Sequence, residues 1–259
     1  MPDFRPILDV TESEWRSGLG LEPGETPDCV IVEGSWWREE RQKWRLGYLT
    51  DVRELGFPDV YLGKHGDRTI AFCMAYGAPR AVEVITIFAA LGARLAVQIG
   101  TCGGLQPELQ PGDVIIPDVV GCEDGVAHLY GADPSTATAT PSLIDQAKRL
   151  LESRRRTVRV GSHVTFSSLF AESPAMLEEW HNAGLLSVDM ETATTLSVAE
   201  QYGCDAVSLL VVWDELTRGR RFLDPMAPDA MAELDQSNSD VFEIALELAK
   251  THSTSRSEV

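Results

Sequence analysis

The chain has 259 residues, 44% of them hydrophobic, and a formal net charge of −18 from 40 acidic and 22 basic side chains. That is apolar material for one sizeable core or two small ones. The charge repels nucleic acid and anionic membranes at long range and argues against both as partners.

Cys29 to Val32 reads as a buried strand ending at Gly34, and Tyr61-Leu62 and Thr69 to Met74 as strands joined by a Gly66-Asp67 turn. Pro79 opens a helix with Val84, Ile87, Phe88 and Leu91 on one face, stopped by Gly92. The strand Leu95 to Ile99 follows and runs into a turn of Gly100, Thr101, Cys102, Gly103 and Gly104. Strand, helix and strand with short joints make a βαβ pattern. Val114 to Ile116 is a further apolar run, and Ser142 is the expected cap of a helix with Leu143, Ala147, Leu150 and Leu151 on one side. That helix ends at Arg154-Arg155-Arg156, read as a solvated helix end or, less simply, a phosphate site.

Val158 to Val164 is the next strand, followed by helices around Pro174 to Trp180 and Met190 to Tyr202, the second closed by Gly203. Ala206 to Trp213 is nearly continuous in apolar residues, the mark of a strand covered on both faces. A last helix places Val241, Ile244, Ala245 and Leu248 together. The fold class expected is α/β, with one domain over residues 1–250, a central mixed sheet flanked by helices, and a flexible tail over 251–259.

The five cysteines form no Cys-x-x-Cys pair and are expected as reduced thiols in a cytoplasmic protein. The N-terminus shows no signal-peptide pattern, and no apolar run approaches the ~20 residues that span a bilayer.

Ligands in such sheets collect at the carboxyl ends of strands. One end reads Gly34-Ser35-Trp36-Trp37-Arg38, where a backbone N–H and the Arg38 guanidinium can meet one anion, unless Arg38 is a surface charge. At the second, the Thr101 hydroxyl and the N–H groups of Cys102 and Gly103 hold an oxyanion, or the glycines simply make a tight turn. At the third, Trp213-Asp214-Glu215, the aspartate is either a cap or a proton donor facing a cleft. Two carboxylates also flank a methionine in Val188-Asp189-Met190-Glu191-Thr192-Ala193; they cap a helix or bind a sugar diol.

In order and spacing, IGTCGGL with its trailing GDVIIP, together with VDMETA, resembles the type I nucleoside phosphorylases, the group of purine nucleoside and uridine phosphorylases and methylthioadenosine nucleosidases. The resemblance runs from Val30 to Arg218. It implies that Gly34, Arg38, Thr101, Cys102 and Gly103 bind phosphate, with Arg53 reaching into the site of a neighbouring subunit. It further implies that Met190 and Glu191 bind ribose and that Phe170, Asp189, Trp213 and Asp214 meet the base, with Asp214 and Glu191 catalytic. No metal or organic cofactor is expected; inorganic phosphate is the co-substrate, the nucleoside the other partner, and a homodimer or a hexamer of three dimers the assembly.

Four departures bear on this reading. Gln98 stands where phosphorylases of the group carry an arginine, with Arg94 or Arg80 as possible replacements. The segment PILDV holds no histidine for a 5′ hydroxyl. Trp213 stands where the purine enzymes keep a small residue, which shrinks or reshapes the base pocket; no glutamine–arginine pair for uracil follows Phe170, and that absence favours a purine. The rival readings are a nucleosidase that uses water, uridine-type pyrimidine specificity, and a non-catalytic nucleoside-binding protein.

Overall fold

The computed structural model describes residues 10–252. The chain runs α1 (Glu12–Leu19), β1 (Cys29–Gly34), α2 (Arg38–Leu46), β2 (Thr50–Glu54), β3 (Val60–His65), β4 (Arg68–Met74), α3 (Ala78–Ala90), β5 (Leu95–Gly104), β6 (Val114–Glu123) and β7 (Thr136–Thr138). It continues with α4 (Pro141–Ser153), β8 (Val158–Phe166), α5 (Pro174–Asn182), β9 (Ser187–Asp189), α6 (Thr192–Gln201), β10 (Asp205–Glu215) and α7 (Pro228–Thr251). The fold is α/β, a mixed sheet flanked by helices. β10 is buried along nearly its whole length, as a continuous apolar run requires.

β5 organises the sheet. It pairs in parallel with β1 from Ala96 to Gly100 and with β10 from Leu95 to Gly104, then antiparallel with β9 at Gly103 and Gly104. β10, β6, β8 and β9 return to β5, so these five strands close on themselves, while β1, β4, β3 and β2 extend from it as an open wing. The segment Gly100 to Gly104, expected as a turn, is therefore strand. Its glycines serve close packing rather than chain reversal: none has a positive φ. A Cβ on Gly100 would lie 2.7 Å from the Gly34 carbonyl oxygen, and one on Gly103 2.5 Å from Leu216 Cδ1.

Three local expectations change. The residue before α4 is Thr140, with Pro141 opening the helix and Ser142 inside it. Proline suits a first turn because its missing N–H would have had no partner there. The Arg154–Arg156 run is not a solvated helix end: Arg154 pairs with Asp240 at 3.1 Å and Glu243 at 2.6 Å, and Arg156 with Glu233 at 2.6 Å, fastening α7 beside α4. Val188 and Asp189 lie in β9, so the helix expected from Met190 begins at Thr192. At the end of the chain α7 continues through Thr251, and His252 meets Asp205 at 2.9 Å, so the tail expected from 251 is packed at its first two residues. The rest of it, 253–259, and PILDV apart from Val10 lie outside the described residues.

Gly100→Ala forces a methyl group against backbone that has no rotamer to change. It should cost about 1–3 kcal/mol, read as a lowered urea midpoint; an unchanged midpoint would show that β1 and β5 separate freely.

Candidate active site

A cavity of about 650 Å³, counted out to its mouth, opens at the carboxyl ends of β1, β4, β5 and β10. The two carboxylates of VDMETA enter it in different roles. Asp189 is the cap: it accepts from the Thr192 N–H at 3.1 Å. Its Oδ1 also accepts from His163 Nε2 at 2.9 Å and Thr165 Oγ1 at 2.8 Å, and its Oδ2 from Gln98 Nε2 at 3.2 Å. The Thr192 hydroxyl stands 2.6 Å from Oδ2 and 2.7 Å from Gln98 Oε1. Burial alone would raise this carboxyl, but His163 and the two hydroxyls hold it below the usual carboxylate range.

Glu191 occupies the N-cap position of α6 without capping it. Its side chain turns the other way, where Oε1 accepts the Gly77 N–H at 2.6 Å. Glu191 Oε2 lies 2.4 Å from where a Cβ on Gly34 would sit, so only glycine at the end of β1 lets this carboxylate reach the cavity wall. Burial, and then the charge of Asp189, raise the Glu191 carboxyl despite the Gly77 and Met190 N–H groups. Two hydroxyl donors from a sugar would favour its ionised form.

β10 carries a bulge where it passes β5. Val212 faces Cys102 and Asp214 faces Gly103, leaving Trp213 as the extra residue. Successive residues of a strand normally point to opposite faces; the bulge lets both Trp213 and Asp214 line the cavity. Trp213 is held by its Nε1–H donating to the Phe222 carbonyl at 3.0 Å and by the Trp37 ring at 4.5 Å. Asp214 Oδ1 is buried with no hydrogen-bond partner among the described residues. Burial pushes its carboxyl up to about 7, with Arg220 opposing and Asp224 adding to the rise. Glu172 lines the same cavity, and burial and then Asp214 push it up to about 7 as well.

Gly34, Thr101, Cys102, Gly103 and Met190 also line the cavity. Arg38 is exposed at the start of α2, its guanidinium 5.3 Å from the ring centre of Tyr76, itself a lining residue. Phe170 is 81% exposed outside the wall, edge-on to Trp36 at 6.3 Å, while its neighbour Leu169 faces inward. Arg53 lies on β2, far along the wing, bonded to Glu25 and to the Gly20 carbonyl at 3.2 Å. Gln98 is buried in the Asp189 network. Arg94 donates to the Ala93 carbonyl at 2.9 Å, and Arg80 pairs with Glu83 over the Phe57 ring, so neither lines the cavity in its place.

The Phosphorylase superfamily profile matches residues 45–251. The chain belongs to the phosphorylase superfamily. Among its relatives in the superfamily, a purine nucleoside phosphorylase of DeoD type from Alkaliphilus metalliredigens is 27% identical over 239 residues, covering 90% of this chain and 98% of that one. A guanosine phosphorylase from Halorubrum lacusprofundi is 24% identical, covering 89% and 94%. The crystal structure of uridine phosphorylase from Vibrio fischeri ES114 superposes with a TM-score of 0.77 at 20% identity, covering 94% of this chain and 95% of that one, which shows the phosphorylase fold.

Sequence reasoning passed over Tyr76 and Gly77 in this superfamily site, although they follow the apolar end of β4 and the strand-end rule applies to them equally. Glu172 carried no local signal; a loop carboxylate becomes notable only when folding removes its water.

The Asp189 network is a stability element. Thr192→Val removes one donor and leaves the buried carboxylate short of a partner. It should destabilise the chain by about 1–3 kcal/mol in urea unfolding, and an unchanged midpoint would deny the network that role.

Proposed function

We propose that this superfamily member is a nucleoside phosphorylase: nucleoside and inorganic phosphate are converted to free base and ribose 1-phosphate, with a purine as the favoured base. The observation that carries the reading is that Glu191 and Asp214, on separate elements, face one cavity at the strand ends while both carboxyls are raised by burial. Purine preference is supported by the names of the relatives and by the absence of an amide–guanidinium pair in AESPAML after Phe170. The seat of uridine-type specificity is not evident in this sequence.

In this mechanism Glu191 accepts the ribose hydroxyls and Met190 packs on the sugar. Positive charge that develops on the ring is stabilised by Glu191 on one side and phosphate on the other. Phosphate is assigned to Gly34, Arg38 and the Thr101–Gly103 strand end. Because Cys102 and Gly103 sit in the β5 ladder, the Thr101 hydroxyl and the arginine carry more of this binding than a free loop would leave them. Trp213, with Phe170 at the rim, bounds the base; Asp189 acts through the wall, since its oxygens are engaged by scaffold donors. Asp214 in its acid form delivers a proton to the leaving base. Arg53 is assigned to the cavity of a second subunit, in a homodimer or a hexamer of three dimers. A cytoplasmic location and the absence of any metal or organic cofactor complete the proposal; no helix among the described residues is long and apolar enough to cross a membrane.

One observation favours the nucleosidase alternative: no lysine, arginine or histidine is among the described residues that line the cavity. Base release measured with and without phosphate separates the two, and turnover indifferent to phosphate overturns the phosphorylase reading.

Asp214→Asn should lower kcat for neutral nucleosides by about 10²- to 10⁴-fold. The acid form of Asp214 is present below about pH 7 and is lost above it, so kcat for a neutral nucleoside should fall as pH rises through 7; a flat profile from 6 to 9 would remove Asp214 as the donor. Light scattering at micromolar concentration should show a dimer or larger, and a monomer would remove Arg53 from the site.

A further inference from the structure

A second space lies behind the Trp213 wall. It is a groove between α2 and α7, about 1370 Å³ counted out to its mouth, bounded by Trp37, Trp44 and Trp213. Trp37 and Trp213 line the cavity at the strand ends as well, so this tilted indole pair, 4.5 Å between ring centres, is a partition with a space on each side. Every other described residue that lines the groove belongs to α2 or α7, and none of them borders the first cavity.

Arg41 lines this groove, is only 8% exposed, and carries a charge that the fold does not balance. Helical spacing puts Arg41 and Arg45 on one face of α2, beside a single buried carboxylate, Glu33 of β1. Arg45 takes both oxygens of Glu33, through Nε at 2.8 Å and Nη2 at 3.0 Å. Arg41 is left without an ion pair among the described residues: its Nη1 is buried with no partner, and its guanidinium carbon lies 5.3 Å from the Trp44 ring centre. Burial draws its pKa below the usual guanidinium value, with Glu33 opposing and Arg45 adding to the fall. Asp235 and Glu40 oppose it as well, but both are exposed on the groove's rim, where solvent screens them.

We propose that the groove is a second ligand site, for a small planar aromatic monocarboxylate whose carboxylate pairs with Arg41 and whose ring lies against the indoles. A buried guanidinium without a counter-ion is costly, and its flat fork matches a carboxylate. Indole faces beside it accept a flat apolar ring, in the usual pattern of an apolar pocket with one well-placed charge. Glu40 and Asp235 at the rim repel a second negative charge, so a monocarboxylate is favoured over a phosphate dianion. Arg38, one turn before Arg41 on the same helix, is assigned to the other space; the two arginines serve different anions. Because Trp37 and Trp213 belong to both spaces, an occupant of the groove meets the wall of the first cavity from behind.

The test titrates indole-3-acetate, and indole-3-acetamide as its uncharged counterpart, into the full chain by calorimetry at pH 7 and low salt. The expected result is one site per chain and a Kd for the acid about 10-fold or more below that for the amide. Arg41→Gln should remove that ratio by weakening the acid and leaving the amide where it was, which a general loosening of the fold would not do. Ala232→Trp, at an exposed position of α7 in the groove, should weaken both probes by about 10-fold or more. Arg38→Gln should change neither. The inference is overturned by equal affinity for acid and amide, by no binding up to millimolar concentration, by a ratio unmoved in Arg41→Gln, or by binding lost in Arg38→Gln, which would put the probe in the first cavity. If Arg41→Gln does not fold, the ratio in the parent and the weakening in Ala232→Trp decide alone. None of these readouts depends on turnover, so the phosphorolysis reading stands or falls separately.

Discussion

The crowding at Gly34, Gly100 and Gly103, where a backbone carbonyl meets Gly100 and side chains pack onto the other two, is the constraint on which the rest of the structure depends. β5 leaves β1 at Gly100 and meets β9 at Gly103, so one strand belongs first to the open wing and then to the closed ring of strands. A methyl group on Gly100 would meet the Gly34 carbonyl, whereas on Gly34 it would displace the Glu191 carboxylate and on Gly103 the Leu216 side chain. Because β1 pairs in parallel with β4 and β5, and β5 with β10, the ends of these four strands arrive at one place, and the residues following each arrive there with them. The cavity is a product of that crowding: Glu191 lies over Gly34 only because nothing projects from it.

Around this junction carboxylates with the same intrinsic chemistry are driven apart by their surroundings. Asp189 is ringed by donors and stays ionised as a structural anchor. Glu191 has backbone N–H donors but also Asp189 nearby, and its proton is held more firmly. Asp214 and Glu172 are pushed up to about 7 chiefly by burial, Arg220 opposing only in part at Asp214 and the charge of Asp214 adding to the rise at Glu172. Separation of this kind lets one small space contain a structural anchor and, in the proposed mechanism, a sugar acceptor and a proton donor at neutral pH. The acidity of the whole chain does not produce it; local donors and burial do.

The absence of a basic side chain among the described residues of the lining gives Arg38 and a second subunit their importance in the proposed mechanism. A dianion beside several carboxylates needs a counter-charge, and in this chain the candidates stand at the rim or on a distant strand. Gln98 shows why: an arginine there would have to replace an amide that both donates to Asp189 and faces the Thr192 hydroxyl. In exchange, the interior of the chain gains a fully bonded network in place of a buried guanidinium.

Much of this was legible in the residues. Apolar runs ending in Gly34, Thr101 and Asp214 marked strands and the ends that matter, because burial on both faces demands continuous apolar sequence and polar residues at its limit mark where the core stops. Glycine spacing announced that the backbone near Gly100 was unusual, but could not tell a turn from a crowded strand, since both need the side chain absent. From the residues alone either Asp189 or Glu191 can cap a helix, and the resemblance assigned Glu191 to ribose and Asp189 to the base; the fold makes Asp189 the acceptor of the Thr192 N–H. The sequence by itself therefore determined the α/β class, the family and the set of chemical groups. Only the tertiary structure decided their roles: Asp189 as scaffold, Glu172 as a member of the cavity, Trp213 and Asp214 turned to one side by a bulge. Those outcomes depend on which groups lose water together and which backbones meet, and both are properties of residues brought close by folding, not of their order along the chain.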